Sequence, residues 1–474
     1  MIEKLQTNAG GLEPSLRITP PNASANWTTV FIGENGGRKS LVLRLIADSA
    51  LGRTSYSSNR GGRISIVPVS EGPSRVIAVS GTPLDRFPRS GTTDLKTRKR
   101  SAYKQQFVYL GQRAANGMSG VAQSERSLVG SLIANRRLLH EREKLLTDVF
   151  GRLGLLPRVL VRLKRAENWS LPHSRAKLLR ELKNGIMKIL EGLHADGSLS
   201  SDDKILERGI ETVSSSSGMS RLVRALTSVD ESAIRLSIST TRTSVYGASL
   251  TVSDCELLLR IGMLEVGSTT FRKSPKNSKQ VPETAGGAWL SSGQWSWLGN
   301  FAGLCCELRD GSLILIDEPE NSLHPDWQLE FVPSLDAILS HFQGCQVVVA
   351  THSPLIASGV SPEKGNVRVL RKTTNRRDAV VRSQEVVSTF GWSATDVYEQ
   401  AFGVRNTRAK NFTKVADQAL EVIRNGQKIS TDKADALCQK LTEKASQLPP
   451  FDALRDVLVQ ISRDISRLRI KAPK

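Results

Sequence analysis

The segment Gly33-Glu34-Asn35-Gly36-Gly37-Arg38-Lys39-Ser40 restricts the fold of this chain more than any other. An apolar run, Thr28–Ile32, leads into it. A stretch from Ser40 to Ala50, apolar at Leu41, Leu43, Leu45 and Ile46, leads out. A strand, a glycine-rich turn and a helix in direct succession leave backbone N–H groups at a helix N-terminus, where anions are favoured. In this context the segment reads as a phosphate-binding loop. The backbone from Gly33 through Asn35, Gly36, Gly37 and Arg38 cradles phosphates, Lys39 reaches the β and γ phosphates, and Ser40 ligates Mg²⁺. Arg38 stands where a glycine normally precedes the lysine, so its side chain either crowds the loop or adds positive charge beside a nucleotide.

A second segment, Ser312–Pro325 (SLILIDEPENSLHP), is an apolar run closed by two carboxylates. Buried carboxylates cost several kcal/mol each when no cation accompanies them. Asp317 therefore reads as a Mg²⁺ ligand and Glu318 as the group that polarises an attacking water. A third segment, Ala350-Thr351-His352-Ser353-Pro354, ends the next apolar run. Its histidine is expected near the same phosphates.

In this order these segments resemble an ABC-type ATPase head, closest to the SMC/RecF/OLD-like branch, whose heads carry DEPE-x-x-LHP and THSP-like stretches. The resemblance extends to Leu290-Ser291-Ser292-Gly293-Gln294, 27 residues before Asp317. There it implies a signature segment in which Ser291, Ser292, Gly293 and Gln294 face the γ-phosphate held by another subunit. It also implies that His352 is a switch histidine and that Gln112, after the strand-like Phe107–Leu110, touches Mg²⁺ and the attacking water. Glu320-Asn321-Ser322-Leu323 takes the place of the loop that runs along the dimer interface. The fold implied is α/β: an ATPase head with a mixed sheet, a helical insertion and a C-terminal helical tail. ATP and Mg²⁺ are the implied cofactors, and a homodimer or higher homo-oligomer through the heads is the implied assembly.

The resemblance covers roughly 1–115 and 285–390. Four regions are expected: 1–117 and 286–390 as the two parts of the head, 118–285 as a mainly helical basic insertion, and 391–474 as a helical tail. About 250 residues separate Lys39 from Ser291, too few for an SMC-length arm. This arrangement is similar to stand-alone ATPases of prokaryotic anti-phage systems, the PtuA type of Septu and retron systems and the AriA type of PARIS. That similarity implies control of a separately encoded nuclease, since neither a TOPRIM-like acidic cluster nor an HNH-like motif is visible here.

Charge narrows the partners. Lys and Arg number 66 against 46 Asp and Glu, a net charge of +20 that favours polyanions. Lys96, Arg98, Lys99, Arg100 and Lys104 form one basic cluster, and Arg158–Lys188 holds nine basic residues, on what is expected to be helix. Contacts from either to nucleic acid would be to phosphate and strongly salt-dependent. Five cysteines without C-x-x-C spacing suit reduced thiols. No apolar stretch is long enough to span a membrane, so a cytoplasmic location and no membrane partner are expected. The competing functions are a RecF-like repair ATPase that binds DNA directly, the energising subunit of a transporter, and a nucleotide-dependent scaffold with little turnover.

Overall fold

Apolar runs bounded by glycine, proline or charge become the strands of a seven-stranded sheet. Its order in space is Ala379–Val386, Gly365–Thr374, Trp27–Ile32, Gln346–Ala350, Ser312–Asp317, Arg75–Ser80 and Phe107–Gly111. All neighbours pair in parallel except the edge hairpin Gly365–Thr374/Ala379–Val386, which is antiparallel. The computed structural model describes all residues but 9–10, 22, 24, 53–54, 57–61, 68–71, 83–84, 89–106, 112–119, 168, 195–200, 229–233, 276–282, 375–378, 387, 405–406, 426–428, 468 and 471–474. Gln112 and the basic cluster at 96–104 lie outside the described residues.

The strands Ser312–Asp317 and Gln346–Ala350 are buried at every position, as parallel strands covered on both faces must be. The helix Lys39–Ala50 lies on one face and buries Leu41, Val42, Leu43, Leu45 and Ile46 in a core shared with Leu5, Leu16 and Ile64. Those last three come from a small antiparallel sheet ordered Ser15–Arg17, Lys4–Thr7, Gly62–Val67, Ser55–Tyr56. The helical run after the signature segment comprises Ser292–Trp297, a π-helical turn Leu298–Ala302 and Gly303–Glu307.

The region between the two head parts differs from expectation. Helices Val121–Ala134, Glu143–Gly151, Arg175–His194, Ser201–Ser214, Ser216–Ser228 and Val252–Ile261 are present, but so is a five-stranded antiparallel sheet. Its order is Thr243–Tyr246, Arg235–Ser239, Leu155–Arg165, Leu264–Lys273, Thr284–Gly286. The basic run that begins at Arg158 therefore starts as strand, not helix. The cause is legible in hindsight: buried Val159, Val161 and Leu163 alternate with exposed Arg158, Leu160 and Arg162, a period of two.

Two buried polar groups lock this region. Glu307, fully buried, accepts from Arg75 at 2.7 Å, Asn135 at 3.0 Å and Ser131 at 3.3 Å, joining a strand of the large sheet to two helices. Glu256 sits between Arg136 and Arg260, the latter at 2.7 Å. The helix carrying Glu256 opens with a capping box between Thr251 and Asp254.

By compactness the chain divides into Met1–Val397 and Tyr398–Lys474. The second unit packs the helices Lys410–Arg424, Thr431–Ser446 and Ala453–Arg467 around Ala419, Ala434, Leu441, Leu458, Ile461 and Ile465. All five cysteines are free thiols. Among the described residues no helix is long and apolar enough to cross a membrane.

Burial alone would raise the pKa of Glu256, but Arg260 and Arg136 outweigh it and hold the carboxyl below its usual range. Its folded pKa is thus below its unfolded one. The stability it contributes is complete above about pH 4.3 and is lost as the pH falls through the folded value. Glu256→Gln is expected to destabilise the protein by about 3 kcal/mol at pH 7. Urea midpoints of the two proteins should converge as the pH is lowered below 4; a constant difference would contradict the pairing.

Candidate active site

The strands Trp27–Ile32, Gln346–Ala350 and Ser312–Asp317 are adjacent and in register, with Phe31 opposite Ala350 and Ala350 opposite Asp317. Their carboxyl ends are therefore level, and the residues that follow each strand meet there. Ligands of open α/β sheets bind at such ends. The lysine and hydroxyl of one segment thus come within reach of carboxylates nearly 280 residues away.

At Gly33, with φ +149°, a Cβ would lie 2.6 Å from the Leu370 carbonyl, so no side chain fits. Arg38 caps the N-terminus of the Lys39–Ala50 helix with φ 58°, the left-handed region in which glycine is favoured. This explains why glycine is the usual residue there, and the arginine costs about 1–2 kcal/mol. Its guanidinium does not lie in the loop's backbone space. It rests over Gly11, where a Cβ would be 2.7 Å from Arg38 Cζ.

Lys39 is 5% exposed. Its Nζ donates to the Gly33 carbonyl at 2.9 Å and the Glu34 carbonyl at 3.4 Å, and lies 3.5 Å from His352 Nδ1. Burial lowers its pKa to about 8, against the opposing pull of Glu320, Glu318 and Asp317. Ser40 Oγ donates to Asp317 Oδ1 at 3.0 Å. The other oxygen, Asp317 Oδ2, is buried and accepts no hydrogen bond. Burial raises the Asp317 carboxyl to about 7; the Ser40 hydroxyl opposes the shift, and Glu318, Asp85 and Glu320 add to it. An orphaned carboxylate oxygen beside a hydroxyl is the donor set that a hard divalent cation completes, so these residues fit Mg²⁺.

Glu318 is half-buried at the strand end with φ 49°. Its Oε1 lies 4.0 Å from His352 Nε2, and its Oε2 accepts from Asn321 Nδ2 at 3.0 Å. Burial lowers the His352 pKa, Lys39 adds to the effect, and Glu318 opposes it. The imidazole is therefore neutral at pH 7. It lies between a lysine and a carboxylate, where it responds to charge arriving on either side.

One role escaped the sequence reading, which placed Glu320 only in the loop expected along the dimer interface. Glu320 is half-buried beside this cluster, its Oε1 accepting from the His352 backbone N–H at 2.5 Å and its Oε2 from Thr351 Oγ1 at 2.7 Å. Burial raises its pKa, and the two hydrogen bonds oppose that. It holds the segment that carries His352. Its sequence signal was a third acidic residue, two positions past Glu318.

The signature segment forms a second cluster. Ser291 caps the helix, its Oγ accepting from the Gln294 N–H at 3.2 Å while Gln294 Oε1 accepts from the Ser291 N–H at 2.8 Å. Ser292 is exposed on the first turn. At Gly293 a Cβ would meet the Ser322 carbonyl at 2.5 Å, so the segment packs on the turn that follows Glu318. The side-chain hydrogen bonds of Ser291 and Gln294 are internal to the segment. Lys39, Ser40, Asp317, Glu318 and His352 are thus gathered in one place, and Ser291–Gln294 presents a separate surface.

Glu320→Ala removes the acceptors that hold Thr351 and the His352 backbone and breaks no hydrogen bond of the P-loop. ATP turnover is expected to fall by about tenfold or more, equivalent to at least 1.4 kcal/mol of barrier, while nucleotide affinity stays within about threefold. An equal loss of affinity would show that Glu320 supports the loop and not His352.

The family model described as "AAA domain, putative AbiEii toxin, Type IV TA system" matches residues 122–358, half of the 474-residue chain. Among solved structures, cbiO1 from Clostridium perfringens, part of the ABC transporter complex cbiONQ, is 13% identical. The alignment covers 88% of this chain and 100% of that one at a TM-score of 0.27. UvrA2 from Deinococcus radiodurans is 13% identical over 80% of this chain and 37% of that one, with a TM-score of 0.28. The Smc head domain bound to the C-terminal domain of ScpA, derived from Pyrococcus furiosus, is 11% identical over 85% and 99%, with a TM-score of 0.30. On the extent of its family match, this chain belongs to the AbiEii-like AAA-domain family of P-loop ATPases.

Proposed function

We propose that the chain is an ATP-hydrolysing switch whose heads close on nucleotide and whose state controls a partner nuclease in an anti-phage system. One observation carries the ATPase part. Lys39, Ser40, Asp317, Glu318 and His352 converge at the level ends of three parallel strands, with one buried Asp317 oxygen left without a donor.

The geometry supports the following roles. The amides of Gly33, Asn35, Gly36, Gly37 and Arg38 and the Lys39 ammonium bind the triphosphate. Ser40 and Asp317 hold Mg²⁺, which neutralises charge on the phosphate oxygens. Glu318 Oε1 accepts a hydrogen bond from the attacking water and orients it in line. Neutral His352, held by Glu320, senses the γ-phosphate beside Lys39. Ser291 and Ser292 are exposed, and the Ser291 and Gln294 side chains bond within the segment and not to their own Lys39, which supports a role for Ser291, Ser292, Gly293 and Gln294 on the nucleotide of a second copy. Gln112 is assigned to Mg²⁺ and the water on the resemblance alone.

The region 118–285 and the tail carry the nucleotide signal outward. The defence role rests on the resemblance to PtuA- and AriA-type ATPases, and the toxin–antitoxin wording of the matched family agrees with it. Direct DNA binding of RecF type is the second reading, favoured by the net charge of +20. A low-turnover scaffold is the third, favoured by the arginine in the P-loop.

Lys39→Ala is expected to abolish ATP binding. Glu318→Gln is expected to cut turnover at least about 100-fold while ATP stays bound and a dimer accumulates in size-exclusion chromatography. Equal, near-zero turnover in wild type and Glu318→Gln would favour the scaffold, and undiminished affinity in Lys39→Ala would remove the P-loop assignment. A nuclease encoded in the neighbouring reading frame should co-purify; DNA binding without one would favour the RecF-type reading.

A further inference from the structure

The five-stranded sheet has one face packed and one that is open to solvent except at Ser237 and Glu265. Val159, Val161, Leu163, Leu236, Ile238 and Phe271 point to the packed side, where the helices Val121–Ala134 and Glu143–Gly151 cover them. On the opposite side, directly paired residues share a face. One row across four strands reads Tyr246, Arg235, Arg162, Ser268. The next reads Ser244, Ser237, Leu160, Thr270, Gly286. A third holds Ser239 and Arg158, with Arg272 at the same end, between the register partners of Val159 and Leu155.

This face is unusual in its charges. Arg162 and Arg235 stand directly opposite each other, an arrangement that costs stability. Both are exposed, as are Arg158 and Arg272. Among the described residues Arg162, Arg235 and Arg272 make no ion pair, and Arg158 bonds only to Ser237 Oγ, at 3.4 Å. The one carboxylate in the strands of this face is Glu265, already paired with Lys164 at 3.1 Å and Arg126 at 3.5 Å. Leu160 at 37% and Tyr246 at 51% exposure lie among the arginines. A merely solvated face has no use for like charges set opposite each other. A polyanion removes the repulsion and turns it into affinity.

We propose that this face binds the sugar–phosphate backbone of duplex nucleic acid. The surface deepens, and rests on, the nucleic-acid part of the reading above. Two arginine rows are separated by four residues along a strand, about 13 Å, and the first row spans about 14 Å across the strands. Between them runs a strip of serine, threonine and leucine with no charge. Two backbones on either side of a groove fit that spacing, one on each row, with hydroxyls facing sugars and Tyr246 at the rim. No side chain on the strip offers the paired donors and acceptors that read bases, so binding is independent of sequence.

Fluorescence anisotropy of the full chain with a labelled 30-bp duplex, between 50 and 200 mM salt, tests this. The variant combines Arg158→Ala, Arg162→Ala, Arg235→Ala and Arg272→Ala, none of them a residue of the nucleotide site. Each lost phosphate contact removes about 0.9 from the slope of log K against log salt, so the slope should fall by about 3–4 and affinity by at least about 30-fold at 100 mM salt. Arg162→Gln with Arg235→Gln should be no less stable than wild type in thermal unfolding, because it relieves a repulsion; a clear loss would mean that these arginines serve the fold. A variant that binds duplex with the wild-type slope would overturn this surface and leave the broader nucleic-acid reading in place. Wild type that binds no duplex overturns both. Preference for a single strand of the same length overturns the duplex assignment.

Discussion

A carboxylate buried to 1% exposure with one oxygen unsatisfied is the constraint around which the rest of the head is arranged. Asp317 is expensive where it stands. Among the described residues the Ser40 hydroxyl is its one hydrogen-bond donor, and three further carboxylates, Glu318, Asp85 and Glu320, make its ionisation harder. Core strands do not end this way for stability, since an asparagine or serine would cost less. The cost becomes intelligible once a dication and a triphosphate enter the balance. Lys39 is the complement: a buried ammonium with its pKa pulled down to about 8, bonded to two backbone carbonyls, 3.5 Å from an imidazole, and drawn toward Glu320, Glu318 and Asp317. The two groups set opposite charges at one site, the pairing that a magnesium-bound polyphosphate completes.

The large sheet makes this possible through register. Because Phe31, Ala350 and Asp317 are level, three loops from distant parts of the sequence leave the sheet at one height. Glu320 then fixes the last of them by binding the backbone of His352 and the hydroxyl of Thr351. Farther out, Ser353 Oγ donates to Gln328 at 2.6 Å, and Gln328 bonds back to the Leu323 carbonyl at 3.0 Å. The residues around Glu318 and those around His352 are therefore one hydrogen-bonded unit, not two loops that happen to be neighbours.

Much of this was legible before any coordinates. The strands Thr28–Ile32, Ser312–Ile316 and Gln346–Ala350 are continuous apolar runs of the right length. The glycine-rich turn has a local signal that tertiary context did not override. The antiparallel sheet between the head parts was missed for a physical reason. Arg158, Arg162 and Lys164 share one face of Leu155–Arg165 with Leu160 between them, and counting charge hid the alternation of buried and exposed positions. The role of Glu320 was missed because a carboxylate that accepts from a backbone N–H and a nearby hydroxyl has no spacing rule. Arg38 could be flagged as a departure, but its direction could not be read: only coordinates show the guanidinium over Gly11.

Backbone strain points to the same site. Among the described residues four non-glycine residues have positive φ: Ala25, Arg38, Glu318 and Ser322. Three of the four belong to the P-loop or to the turn beginning at Glu318. Such conformations cost of order 1–3 kcal/mol each and persist only where surrounding contacts over-determine them. Here those contacts are visible. Gly81 donates its N–H to the Asp317 carbonyl at 3.0 Å and leaves no room for a Cβ beside the Glu318 carbonyl. The turn is closed by Asn321 N–H to the Glu318 carbonyl at 3.2 Å and Leu323 N–H to the Glu320 carbonyl at 3.0 Å. Its far end, the Ser322 carbonyl, is what Gly293 of the signature segment packs against. Glu318 and Gly293 are therefore joined through one strained turn of a few residues. A turn held this tightly does not deform gradually, so a displacement of the signature helix must either be refused or be passed on to the orientation of the Glu318 carboxylate.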